Sequence, residues 1–155
     1  MIINILIIFF IVSPKVFLTI LCYNMHGDKM KEIIKIKYRT IFKYEEHQEV
    51  VKFDEKGYLE KLEDCQVISF KGDSLIKIKL RQDEVVLHNG DSILRLALDC
   101  DVLNDYQTEF GSVSLTTRLV QYEIGNTIKI KYELYDGNSL VSNVYMMLSY
   151  WVLEN

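Results

Sequence analysis

The sequence predicts an all-β domain, an antiparallel up-and-down meander of about 8–10 strands closed into a barrel. Three observations lead there. From Lys31 onward, apolar residues recur at every second position, the period of a strand with one buried face. Turn residues punctuate these runs roughly every 8–18 residues from Gly72 onward, the spacing of an all-β chain. No helical stretch of useful length separates the strands after Met30, so parallel crossovers are not expected.

The strands follow in order. Ile34-Lys35-Ile36-Lys37-Tyr38-Arg39 alternates apolar and basic residues, and Leu75 to Arg81 does the same. Ile93 to Asp99, Val113 to Leu119 and Ile128 to Leu134 repeat the pattern. The last segment, Val141 to Leu153, is apolar on both faces. The predicted core is Ile76, Ile78, Leu80, Leu94, Leu96, Leu98, Leu115, Leu119, Ile128, Ile130 and Leu134, the apolar partners of these alternations. Asn89-Gly90 and Asp136-Gly137 favour positive φ and tight hairpins. Gly72-Asp73, Gly111-Ser112 and Gly125-Asn126 read as short loops, with Gln82-Asp83 and Asn104-Asp105 as weaker turn signals. With no helix to cover its apolar face, the sheet must close on itself, which also removes aggregation-prone edges. At about eight strands the interior is filled by side chains or holds one small ligand.

The chain has 155 residues, the size of one domain. Its net charge of −4 gives no electrostatic reason to expect nucleic acid or an anionic membrane as partner of the folded domain. Lys and Arg alternate along strands rather than cluster, as solvated strand faces do. Cys22, Cys65 and Cys100 are too far apart for a zinc or redox motif. Cys65 and Cys100 lie in or near apolar strand segments and are expected to be buried or semi-buried free thiols.

Residues 1–29 are expected to stand apart from a domain spanning 30–155. Met1 to Tyr23 is almost wholly apolar, broken by Asn4, Ser13-Pro14-Lys15 and Thr19. A membrane helix wants about 20 uninterrupted apolar residues, and Pro14-Lys15 divides this stretch. A signal peptide wants a basic start and a small residue before cleavage, and neither is present. The preferred reading is translation from Met30. Gly27-Asp28-Lys29-Met30 is compatible with a purine-rich ribosome-binding site just upstream of a start codon. A membrane-anchored or exported chain is the alternative if the 1–23 segment is real.

Motifs for chemistry are scarce. There is no glycine-rich phosphate loop, no Gly-x-Ser-x-Gly and no His-Glu-x-x-His. His47 follows Glu45-Glu46 in a polar stretch, and His88 precedes a turn, so both read as solvated. Asp99-Cys100-Asp101 reads as a solvated strand end, because alternation separates Cys100 from the two carboxylates. No nucleophile–base pair, metal set or cofactor site assembles from these residues, so neither an enzyme nor a bound cofactor is expected.

Tyr106-Gln107-Thr108-Glu109-Phe110-Gly111 followed by Leu115-Thr116-Thr117, with Gly57-Tyr58, Val85 to Gly90 and Ile128 to Leu134, carries a resemblance. The chain from about Lys31 to Tyr150 resembles the YwiB-like family of small bacterial proteins of unknown function. The family pattern includes Y-x-T-x-F-G and I-x-I-x-Y-x-L. His88-Asn89-Gly90 departs from it, since Arg-x-Gly is commoner there. The resemblance implies a calycin-like (lipocalin-like) barrel and a bacterial cytoplasmic setting. It implies no activity.

The expected function is therefore a non-enzymatic barrel that binds a small apolar or amphipathic ligand in its interior. Tyr106 and Thr108 share a strand face about 7 Å apart, and Thr117 on the next strand adds a third hydroxyl for a ligand's polar head. Tyr132, Tyr145 and Trp151 are the candidate aromatic lining. The alternative is an interaction module with a packed barrel, a homodimer among its forms, favoured by the two apolar faces of Val141 to Leu153.

Overall fold

Period-two alternation becomes ten strands, with no helix among the residues described by the computed structural model, 31–154. They are β1 (Lys31–Lys43), β2 (Gln48–Lys61), β3 (Gln66–Lys71), β4 (Leu75–Leu80) and β5 (Glu84–Asn89). β6 (Ser92–Ala97), β7 (Val102–Thr108), β8 (Gly111–Glu123), β9 (Thr127–Asp136) and β10 (Ser139–Val152) complete the chain. The expected boundary at 29/30 lies outside the described residues.

Every pairing is antiparallel, and the sheet order is β6-β5-β4-β3-β2-β1-β10-β9-β8-β7. Sequence neighbours pair except β6 and β7, and β1 also pairs with β10, which joins the two ends of the meander. The barrel is therefore nearly closed, with a seam between β6 and β7. Across that seam the only backbone bridge among the described residues is Ala97 to Cys100.

Inward residues form one continuous core. Ten of the eleven predicted core residues are in it. Leu98 is not; it is 37% exposed. The alternation continues through Leu98 in sequence, but β6 stops at Ala97 and the chain turns at Asp99, whose φ is +64°. Cys100 follows this turn, bridging back to Ala97, and is exposed, against expectation, whereas Cys65 is buried. The Asp99-Cys100-Asp101 run is exposed, as expected, and forms the connection from the end of β6 to β7.

Aromatics fill the interior. The rings of Tyr38, Phe53 and Phe70 lie 5.4–6.0 Å apart, centre to centre, as tilted pairs. Gly57 of β2 lets the Ile36 side chain of β1 and the backbone of β3 pack close against it. A Cβ there would lie 2.5 Å from the Ser69 carbonyl oxygen and 2.6 Å from Ile36 Cδ1.

Gly90 and Gly137 begin two-residue hairpin loops with φ near +60°. Two turn expectations fail. Gly111-Ser112 already belongs to β8, the loop being Glu109-Phe110, and Asn104-Asp105 lies inside β7. His88 is likewise within β5 and half-buried, not in a solvated loop.

Bulges at Val120 in β8 and Val141 in β10 change the phase of alternation. The first turns Tyr122 inward and leaves Gln121 outside, opposite Lys131. The second sets Val144, Met146 and Leu148 inward and Tyr145 and Met147 outward.

Candidate ligand-binding site

The six candidate residues divide among three places. Tyr106, Thr117 and Tyr132 face the interior and are buried. Tyr145 and Trp151 face outward, each beside lysines. Thr108 stands at the β7–β8 turn, where its hydroxyl donates to the Gly111 carbonyl at 2.8 Å and accepts from Phe110 N–H at 3.1 Å. That staples the turn.

Thr117 works with a residue that turn statistics concealed. Asn104 Oδ1 accepts from the Arg95 N–H at 2.7 Å, and its Nδ2 donates to the Arg95 carbonyl at 3.2 Å. A side-chain amide on β7 thus pairs with the backbone of β6 as a neighbouring strand would. Nδ2 also approaches the Val102 carbonyl at 3.1 Å and Thr117 Oγ1 at 3.2 Å. Thr117 donates to the Arg95 carbonyl at 2.6 Å. At the other end of the seam Ser92 Oγ donates to the Gln107 carbonyl at 2.7 Å. These side chains close the barrel where the ladder is missing.

Interior phenols gather near Tyr132. Burial raises its pKa well above the usual tyrosine value, and Tyr38, Tyr106 and Tyr44 add to the effect. Burial likewise pushes Tyr106 up to about 12, against a hydrogen bond with Ser92. The Tyr122 hydroxyl donates to the Arg81 carbonyl at 2.7 Å.

The outer face of β1, β10, β9 and β8 carries a cleft of about 240 Å³. Its floor includes Ile41, Tyr145 and Met147; Arg39, Lys43 and Lys131 stand around it. The Nζ atoms of Lys43 and Lys131 lie 4.9 and 5.1 Å from the centre of the Tyr145 ring. Strand register builds this cleft in rows. Arg39 of β1 faces Met147 of β10, which faces Lys129 of β9, which faces Glu123 of β8. The next row runs Ile41, Tyr145, Lys131, Gln121. Lys129 pairs with Glu123 at 3.4 Å. Sequence reading singled out Tyr145 but not its cationic neighbours, because each lay in what looked like an ordinary solvated strand face.

No protein-family model matches the chain, and no curated protein matches it. Among solved structures, the ywiB protein from Bacillus subtilis is similar in fold. Its TM-score is 0.66 at 18% identity, covering 80% of this chain and 94% of that one. At that identity the likeness concerns the fold alone. The chain has a YwiB-like fold: an all-β, ten-stranded, nearly closed up-and-down barrel.

Proposed function

We propose that the protein is a non-enzymatic barrel that binds a small amphipathic ligand on its outer face, with the barrel as scaffold. The observation that carries this reading is the cleft itself: an apolar floor of Ile41 and Met147 beside Tyr145, rimmed by cationic side chains. An apolar pocket with a few convergent charged groups is the usual form of a small-ligand site. Tyr106 and Thr117, by contrast, spend their polar atoms on barrel closure and core packing.

Methyl NMR tests it. Amphipathic fragments should shift the outward methyls of Ile41 and Met147 and leave the interior methyls of Leu94, Leu96 and Leu115 unmoved. The opposite pattern refutes the outer-face reading. It would favour a second one, a ligand held inside the barrel. Tyr44 supports that alternative, since its buried hydroxyl has no hydrogen-bond partner among the described residues.

A further inference from the structure

We infer that the outer-face cleft is a site for a small organic phosphate, a monoester whose dianionic group is held by Arg39, Lys43 and Lys131 and whose short apolar body lies on Ile41 and Met147. This rests on the outer-face reading above and names the ligand class.

The charge distribution is the first support. The protein is acidic overall, with net charge −4. Lys31, Lys35, Lys61, Arg81, Arg95 and Arg118 each have a carboxylate within 4 Å. At the cleft Lys129 is paired in the same way, with Glu123 at 3.4 Å, but the other cations there are not. Arg39, Lys43, Lys52 and Lys131 have no carboxylate within 4 Å among the described residues. Three unneutralised cations around the cleft, Arg39, Lys43 and Lys131, with Lys52 on the strand beside β1, form a local field of opposite sign to the acidic whole, which an anion entering the cleft would satisfy.

Register is the second support. Lys52 of β2 stands directly opposite Arg39 of β1. Like charges at directly opposed positions destabilise a sheet, so folding alone gives no reason for the pair. A bound dianion reverses the sign of that interaction. The other opposed pair of like charges, Lys35 and Lys56, has the Asp54 carboxylate 3.2 Å from Lys35 Nζ; Arg39 and Lys52 have none within 4 Å among the described residues. The unpaired lysines of β4 face no cation strand-to-strand, Lys77 lying opposite Ser69 and His88 and Lys79 opposite Val67 and Val86.

Size and shape are the third. A cleft of about 240 Å³ falls below the roughly 300–1,000 Å³ that drug-sized ligands occupy. Tyr145 is already engaged by Lys43 and Lys131 from its two neighbouring strands, so it holds those ammonium groups in place rather than offering a stacking face. The floor left to the ligand is aliphatic. Arg39 offers the planar, bidentate donor set that matches a phosphate, while the lysines act as point charges.

Phenyl phosphate is the probe, with phenol as its neutral counterpart, read by methyl NMR on the full chain. The expected result is saturable shifts at Ile41 and Met147 with phenyl phosphate but not with phenol, weakening as salt rises. Arg39→Glu and Lys131→Glu should each weaken binding about tenfold or more, with interior methyl positions unchanged as proof of folding. Equal binding of phenol, or binding unaffected by both charge reversals, overturns the phosphate assignment and leaves the outer-face reading standing. Shifts confined to Leu94, Leu96 and Leu115 overturn both. A single-stranded RNA oligonucleotide that shifts the same methyls, with affinity growing with its length while phenyl phosphate has no effect, also overturns the small-ligand assignment.

Discussion

Replacing Asn104 by Leu should open the barrel at its seam. The substitution keeps the side chain's approximate volume and removes its amide. Four contacts go with it: the bond accepted from Arg95 N–H at 2.7 Å, and those donated to the Arg95 and Val102 carbonyls and to Thr117 Oγ1 at 3.1–3.2 Å. The carbonyl of Arg95 keeps Thr117 as a donor at 2.6 Å. Its N–H keeps nothing comparable, because β6 has no ladder partner on that side. A net bond contributes about 1 kcal/mol, and a buried donor left unpaired costs about 1–3 kcal/mol. These costs overlap, so the expected loss is about 2–4 kcal/mol. With a urea m-value of about 2 kcal/mol/M, the unfolding midpoint should fall by about 1–2 M. Hydrogen exchange supplies the local signature. The Arg95 amide should lose protection more than amides of β1 or β10, which lie in continuous ladders. Thr117→Val, which removes one donor, should cost less. An Asn104→Leu protein with an unchanged midpoint and a still-protected Arg95 amide would show that the amide does not close the barrel.

Other outcomes follow from burial and register. Leu96→Ala should cost about 2–5 kcal/mol and Lys129→Ala no more than about 0.5 kcal/mol, measured by urea unfolding; similar losses would mean the faces are assigned the wrong way round. Gly57→Ala should cost about 1–3 kcal/mol, because the added methyl meets the Ser69 carbonyl and Ile36; a neutral effect would mean β2 has room there. Burial, then Lys77, Arg95 and Lys79, depresses the His88 pKa below the ordinary imidazole value of 6.5. Its neutral form is favoured by folding, so the stabilisation is present above pH 6.5 and is lost as pH falls through the depressed value. Unfolding midpoints at pH 7 and pH 5 should therefore differ more in wild type than in His88→Gln, and equal differences would exclude His88 as a contributor. Tyr106 works in the other direction. Its pKa is raised to about 12, so its contribution is intact below pH 10 and lost as pH rises through 12. Tyr106→Phe should flatten the stability decline over that window, and an unchanged decline would remove Tyr106 from it.

The fold was legible where one strand face is buried and the other wet. β4, β6, β8 and β9 announce themselves because Ile78, Leu94, Leu115 and Ile130 alternate with Lys, Arg, Ser or Thr. β5 is quieter, since Val85, Val86 and Leu87 are consecutive and all buried, which erases the period. β7 misleads for a physical reason. Asn and Asp are turn residues because their side chains compete for backbone hydrogen bonds. Asn104 does compete for them, but across a seam, where its amide takes the place of an absent strand. The same chemistry that mimics a turn locally closes a barrel non-locally, and only the pairing partner distinguishes the two. The cleft has the same origin. Lys52 and Arg39 lie on sequence-adjacent strands, each in a plain solvated stretch; that they stand opposite one another depends on the β1–β2 register. Tyr145 meets Lys43 and Lys131 because β10 returns to pair with β1, about a hundred residues away in sequence, and because bulges at Val120 and Val141 set which residues face out. A hydrophobic pattern specifies which face is buried. It leaves open which polar residues of separate strands share a row, and a row of charges is what an outer-face site is made of.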